Sequence, residues 1–165
     1  MKIKSIEVVK LTIPPATGDT PPARRAGWAR DAEVANPMSK YPDVKRHRSL
    51  WNVRWGQVGC KVTAEDGTWG LGTTAFARPV AAIIEDHFAP QLVGQEALAT
   101  ERLWDMMVRL SKPYGSAGLA SYAISAVDLA LWDLKGKLLG QPVYALLGGP
   151  AHDSLFCYAT GNDTD

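Results

Sequence analysis

Seven basic residues crowd one stretch of the chain: Arg24, Arg25, Arg30, Lys40, Lys45, Arg46 and Arg48, with Trp28, Tyr41 and Trp51 among them. Arginine forks bind carboxylates bidentately, and an aromatic wall excludes water around such a pair. The same ingredients suit single-stranded nucleic acid, through base stacking and phosphate contacts. They also suit a solvated basic loop. Other reactive groups are sparse. His47, His87 and His152 share no metal-ligand spacing and read as surface histidines. Cys60 and Cys157 lie in apolar strand-like runs and read as core thiols, since nothing nearby would lower their pKa. No phosphate-cradling glycine loop or nucleophile elbow occurs. Gly70 and Gly72 follow a hairpin signal instead of opening a βαβ unit. Asp128 and Asp133 point about 140° apart on one helix. Asp133 and Lys137 read as an ordinary i,i+4 pair. No hard-cation site with converging carboxylates is visible.

The elements that must carry the basic cluster come from periodicity and punctuation. Ile3 to Ile13 is β-branched and loosely alternating, which predicts a strand ended by Pro14 and Pro15. From Pro14 to about Asp43 there is no sustained period, and six prolines punctuate the run. So long a connection in a compact domain reads as a lid, and its large apolar residues argue for partial order. Arg54 to Ala64 predicts a second strand with Val58, Cys60, Val62 and Ala64 on one face. Asp66-Gly67 signals a hairpin, with Thr68 to Thr74 returning as the third strand. Pro79 suits the first turn of a helix running to about His87, stopped by Pro90. Thr100 precedes a helix whose Leu103, Met106, Met107 and Leu110 share a face. Ser116 to Leu139 is the strongest helical stretch, with Gly140 as its C-terminal cap and Pro142 beyond it. Val143 to Leu147 fits one more short turn, and Ser154 to Gly161 fits a buried strand.

Composition bounds the class. With 165 residues, 46% hydrophobic and 21% charged, the chain suits a soluble globular domain. The net charge is +1, so the total does not indicate a generally basic nucleic-acid binder. It is unevenly spread: residues 1–61 hold 12 Lys/Arg against 5 Asp/Glu, and residues 62–165 hold 6 against 12. Two cysteines are too few for a disulfide scaffold and fit a reducing compartment. No apolar run approaches a membrane span, and Met1 to Glu7 lacks the apolar core of a signal peptide. A cytoplasmic location is expected.

Ser125 to Gly149 reads Ser-Ala-Val-Asp-Leu-Ala-Leu-Trp-Asp-Leu-Lys-Gly-Lys-Leu-Leu-Gly-Gln-Pro-Val-Tyr-Ala-Leu-Leu-Gly-Gly. This resembles the end of the N-terminal capping domain in the mandelate racemase branch of the enolase superfamily. The order of strand, long loop, hairpin and helices fits the same domain over nearly the whole chain. Asn36 to Asp43 (Asn-Pro-Met-Ser-Lys-Tyr-Pro-Asp), the following Arg48, and Tyr158 to Gly161 are similar to acid-sugar dehydratases of the L-rhamnonate kind.

The resemblance implies an α+β cap over a (β/α) barrel: a three-stranded antiparallel sheet, then a helical bundle. Residues 1–150 would form the cap, with a basic lid at 14–52, and residues 151–165 the start of the barrel. A barrel takes about 250 residues, so the complete enzyme should approach roughly 400, with the barrel in cis and not among these residues. The barrel is expected to supply the Mg²⁺ ligands and the acid/base residues, leaving no catalytic or metal-binding residue in this chain, which alone should be inactive. The metal would stabilise the enediolate formed when a proton leaves next to a carboxylate, and loss of a hydroxyl completes dehydration.

In this subgroup a cap histidine and a cap arginine contact the acid sugar. Arg48 matches the arginine by its place after the Pro-Met-Ser-Lys-Tyr segment. The histidine has no counterpart, since none precedes His47; Arg24 or Arg25 would stand in its place, with Trp28 and Lys40 as further candidates, and the acid sugar itself stays open. Family members are commonly oligomeric, so a homo-oligomer is expected. A racemase or cycloisomerase of the same branch fits the cap equally, and a stand-alone anion- or nucleic-acid-binding module remains the reading from another class.

Overall fold

Val58, Cys60, Val62 and Ala64 alternate with more polar neighbours, and all four are buried, as period-two alternation on a half-covered sheet requires. In the computed structural model, which describes residues 1–11, 40, 41, 43 and 55–157, they lie on the middle strand of a three-stranded sheet. Strands β1 (Ile3–Val9), β2 (Gln57–Ala64) and β3 (Trp69–Ala75) run antiparallel in that order. Ile3 pairs with Ala64 and Val9 with Gly59, with an irregularity between Ile3 and Ser5. Strands β1 and β2 are shorter than the sequence suggests at the ends next to residues 12–54, of which only Lys40, Tyr41 and Asp43 are described.

The hairpin between β2 and β3 forms at Asp66-Gly67. The Gly67 N–H donates to the Ala64 carbonyl at 3.0 Å, and Gly67 takes a φ of 89° that a side chain would resist. The Asp66 carboxylate accepts the Thr68 N–H at 2.9 Å and the Thr68 hydroxyl at 3.1 Å, closing the turn from its own side chain.

The first helical stretch departs from expectation. Helix α1 (Ala77–Ala82) passes into a π-helical segment (Ile83–Phe88) and then into α2 (Ala89–Leu92), so the chain stays helical through Pro90. Proline clashes with the carbonyl four residues back and lacks an N–H. Here the preceding turns are widened, with the Ala89 N–H reaching the Ile84 carbonyl five residues back, and the ring falls in the first turn of α2. The inserted turn is the physical reason Pro90 does not end the helix.

Helix α3 (Thr100–Ser111) follows. Thr100 is its first residue and no side chain caps it; the Thr100 hydroxyl instead accepts from the Lys135 ammonium at 3.2 Å. Helix α4 (Leu119–Leu139) ends on Gly140, whose φ of 61° is left-handed, and α5 (Val143–Leu146) follows. Ala123, Val127, Ala130, Leu131 and Leu134 of α4 are buried with Leu103 and Met107 of α3 in one core over the sheet. This is the α+β arrangement of sheet followed by helices.

The chain divides into two units, residues 1–12 with 55–151, and 13–54 with 152–165. Of the second unit, Lys40, Tyr41, Asp43 and residues 152–157 are described. The buried strand expected over Ser154 to Gly161 is not formed in its described part. Ser154 to Cys157 carry no strand assignment and are exposed, Phe156 at 94%. A strand needs a neighbour for its backbone groups, and among the described residues none pairs with this segment. Cys157 is accordingly exposed, not a core thiol.

Candidate functional site

The expected substrate-binding residues are mostly beyond view. Arg24, Arg25, Trp28 and Arg48 lie outside the described residues, and only Lys40 is within them, exposed to solvent. The structure therefore brings none of these five together among the described residues. No group of three His, Cys, Asp or Glu side chains converges there that could hold a metal ion. The described residues thus do not fit a Mg²⁺ site, and no step of the chemistry is built through one.

What the first unit does show is how its long helix is fixed on its sheet. Helix α4 lies directly on β3, and glycine makes that approach possible. A Cβ on Gly70 would run into the Ala130 carbonyl oxygen, and one on Gly72 into that of Ala126. Facing alanines complete the close contact. One polar knot then locks the register. The Asp133 carboxylate accepts the Leu71 N–H at 2.9 Å and the Lys137 ammonium at 2.7 Å. Lys137 also donates to the Trp69 carbonyl at 2.9 Å and sits 4.3 Å from the Trp69 ring centroid, a cation–π distance. A pair legible in sequence as local helix support is in fact a tie between helix and sheet, which i,i+4 spacing alone does not reveal.

Two depressions carry titratable groups to which the sequence assigned no role. The first, about 590 Å³, is lined by Ile83, His87, Leu110 and Tyr114, and His87 Nδ1 lies 2.8 Å from the Tyr114 hydroxyl. The second, about 340 Å³, opens between α3 and α4, where Trp104 and Val108 face Ser121, Ser125 and Asp128. Burial holds the Asp128 carboxyl above the usual Asp range, because a desolvated carboxylate disfavours its charged form. The about 140° between Asp128 and Asp133 sends one toward α3 and the other toward the sheet, as their spacing requires. Cys60 is buried, and its thiol is pushed up to about 12, mainly by desolvation and secondarily by Glu85. It is inert at neutral pH.

The fold and the close-packed α4 define a class. The profile of the mandelate racemase / muconate lactonizing enzyme N-terminal domain matches residues 54–148, and the chain belongs to that family, within the enolase superfamily. Its likeness is to L-rhamnonate dehydratases. It is 42% identical over 166 aligned residues to the L-rhamnonate dehydratase of Saccharopolyspora erythraea, covering all of this chain and 42% of that protein. A crystal structure of rhamnonate dehydratase from Gibberella zeae complexed with Mg superposes with a TM-score of 0.76 at 34% identity, over 92% of this chain and 37% of the other. The 3,6-anhydro-D-galactonate cycloisomerase of Zobellia galactanivorans matches at 46% identity and a TM-score of 0.53, over 56% of this chain and 26% of its own. The chain thus spans well under half the length of these relatives. Among the described residues no helix is long and apolar enough to cross a membrane.

Proposed function

We propose that this chain is the capping, substrate-recognising part of a Mg²⁺-dependent acid-sugar dehydratase that removes water from an aldonate to give a 2-keto-3-deoxy acid. The observation that carries the reading is the 42% identity to an L-rhamnonate dehydratase over the whole chain, which takes in the basic segment as well as the folded sheet and helices. Residues 1–150 are the cap, 14–52 its lid, and 151–165 the entry to a C-terminal barrel in the same protein. Mg²⁺ and the acid/base residues belong to that barrel; the metal, where bound, supports charge on the substrate carboxylate. This chain's share is recognition. Arg48 grips the carboxylate bidentately, Arg24, Arg25 and Lys40 add positive charge, and Trp28 excludes water. Without the barrel the chain is inactive, and the active protein is an oligomer.

The test takes the protein that contains this chain together with the remaining length of its relatives. With Mg²⁺ and a panel of aldonates including L-rhamnonate, a 2-keto-3-deoxy acid should accumulate, stop on chelation with EDTA and resume when Mg²⁺ is restored. No dehydration of any aldonate overturns the proposal. The 46% identity to a cycloisomerase supports one other reading, a ring-forming or racemising enzyme on the same cap, and an isomer of the substrate as product would select it.

A further inference from the structure

Nothing in β3 itself discourages a neighbouring strand. Its residues, Trp69 to Ala75, include no charge and no proline, two of the devices by which edge strands avoid pairing with another chain. Among the described residues β3 has a strand on one side only, since the sheet runs β1-β2-β3. The edge of β1 is closed by backbone: the Ile3 N–H donates to the Gln95 carbonyl at 2.9 Å, and the Gly94 N–H to the Ile3 carbonyl at 2.8 Å. Among the described residues no backbone segment does this for β3.

Side chains of α4 do it instead. Backbone groups alternate in direction along an antiparallel strand. The Thr68 carbonyl accepts the Ala64 N–H inside the hairpin, so the groups of Trp69 and Leu71 turn outward, to the open edge. Asp133 accepts the Leu71 N–H at 2.9 Å and Lys137 donates to the Trp69 carbonyl at 2.9 Å, the length of ordinary ladder bonds. The two side chains are themselves joined at 2.7 Å, and such charge-assisted bonds are stronger than neutral amide bonds. A strand arriving here must part the ion pair and displace the ammonium from the Trp69 ring, 4.3 Å away.

We propose that Asp133 and Lys137 guard the edge of the sheet: they occupy the Leu71 N–H and the Trp69 carbonyl, so that β3 of a second copy cannot add as a fourth strand. The charge that β3 lacks is supplied by the helix packed on it. The guard acts on assembly and does not depend on which reaction the protein catalyses.

The longer protein carrying Asp133→Leu with Lys137→Met, changes that keep good helix formers on α4, tests it by sedimentation velocity and amide exchange. Species several-fold larger than the wild-type assembly should grow with concentration. The Leu71 amide should exchange several-fold faster than in the wild type when dilute, and regain protection when concentrated. Asp133→Asn keeps a carbonyl oxygen for the Leu71 N–H and should hold the wild-type size; growth equal to the double variant's removes the bond to Leu71 as the guard. If the double variant does not fold, Lys137→Met alone, which bares only the Trp69 carbonyl, should show the growth more weakly. Wild-type size in every folded variant overturns the proposal. So does growth without Leu71 protection, or equal growth in Leu134→Ala, which loosens the core and leaves both guarding side chains in place. No turnover is read, so failure here is separate from failure of the dehydratase reading.

Discussion

Two cysteines of similar sequence context behave differently once their surroundings are fixed. Cys60 sits on the inner face of β2 with its thiol pushed up to about 12, while Cys157 is exposed. A folded-state pKa above the unfolded value means that the neutral thiol favours folding. That stabilisation is complete below the unfolded pKa of about 8.5 and is lost as pH rises toward 12. Iodoacetamide at pH 8 should therefore modify Cys157 in the folded chain and reach Cys60 only after unfolding, as peptide mass mapping would read. Equal labelling of both would contradict the burial of β2. The alternation of β2 made Cys60 legible from sequence, because its face is decided by immediate neighbours. Cys157 was misjudged because an apolar run shows that a strand is possible without showing what it pairs with. Asp133 was legible only in part: its lysine partner is four residues away, but the Leu71 N–H is 62 residues distant in sequence.

At the level of elements, contact between α4 and β3 is the feature on which the rest of the unit depends. Ala126 and Ala130 on the helix oppose Gly72 and Gly70 on the strand, so backbone meets backbone. Gly72→Ala would place a methyl against the Ala126 carbonyl and 2.8 Å from the Ala130 nitrogen, atoms that cannot rotate aside. Overpacking of this kind costs about 1–3 kcal/mol or more. Gly59→Ala is the control, since its new Cβ meets the Val9 Cγ2 at 2.8 Å and Leu11 Cδ2 at 3.2 Å, ends of side chains that can yield. Urea denaturation should show a clearly larger loss for Gly72→Ala, and equal losses would refute the close-approach role. The elements readable in advance were those written locally: the Asp66-Gly67 turn, the Gly140 cap and the period of α4. The π-helical insertion was not, because Pro90 is a stop signal in an ordinary helix and its accommodation depends on a turn widened upstream.

Across the whole molecule the charge is divided: the basic excess lies in residues 1–61 and the acidic excess in residues 62–165. On the proposed reading this division is functional, with the positive segment gathering an anionic substrate and the acidic remainder supplying a scaffold. Family and fold were legible because Ser125 to Gly149 is both the longest helical signal and the stretch that packs on the sheet, so one set of residues carries both. The substrate was less legible, since recognition by arginines on a long proline-punctuated connection has no period to fix which of them converge. Arg48 is the sharpest case. A bidentate arginine–carboxylate contact contributes about 1.5–3 kcal/mol, so in the longer protein Arg48→Ala should lower kcat/KM for its aldonate roughly ten- to hundredfold, with the Tm unchanged. Arg48→Lys, which keeps the charge but not the planar fork, should recover only part of that loss. If both variants lose equally, charge alone cannot be what Arg48 supplies and the fork is essential. If neither loses, Arg48 does not touch the substrate, and the carboxylate must be held by Arg24 or Arg25.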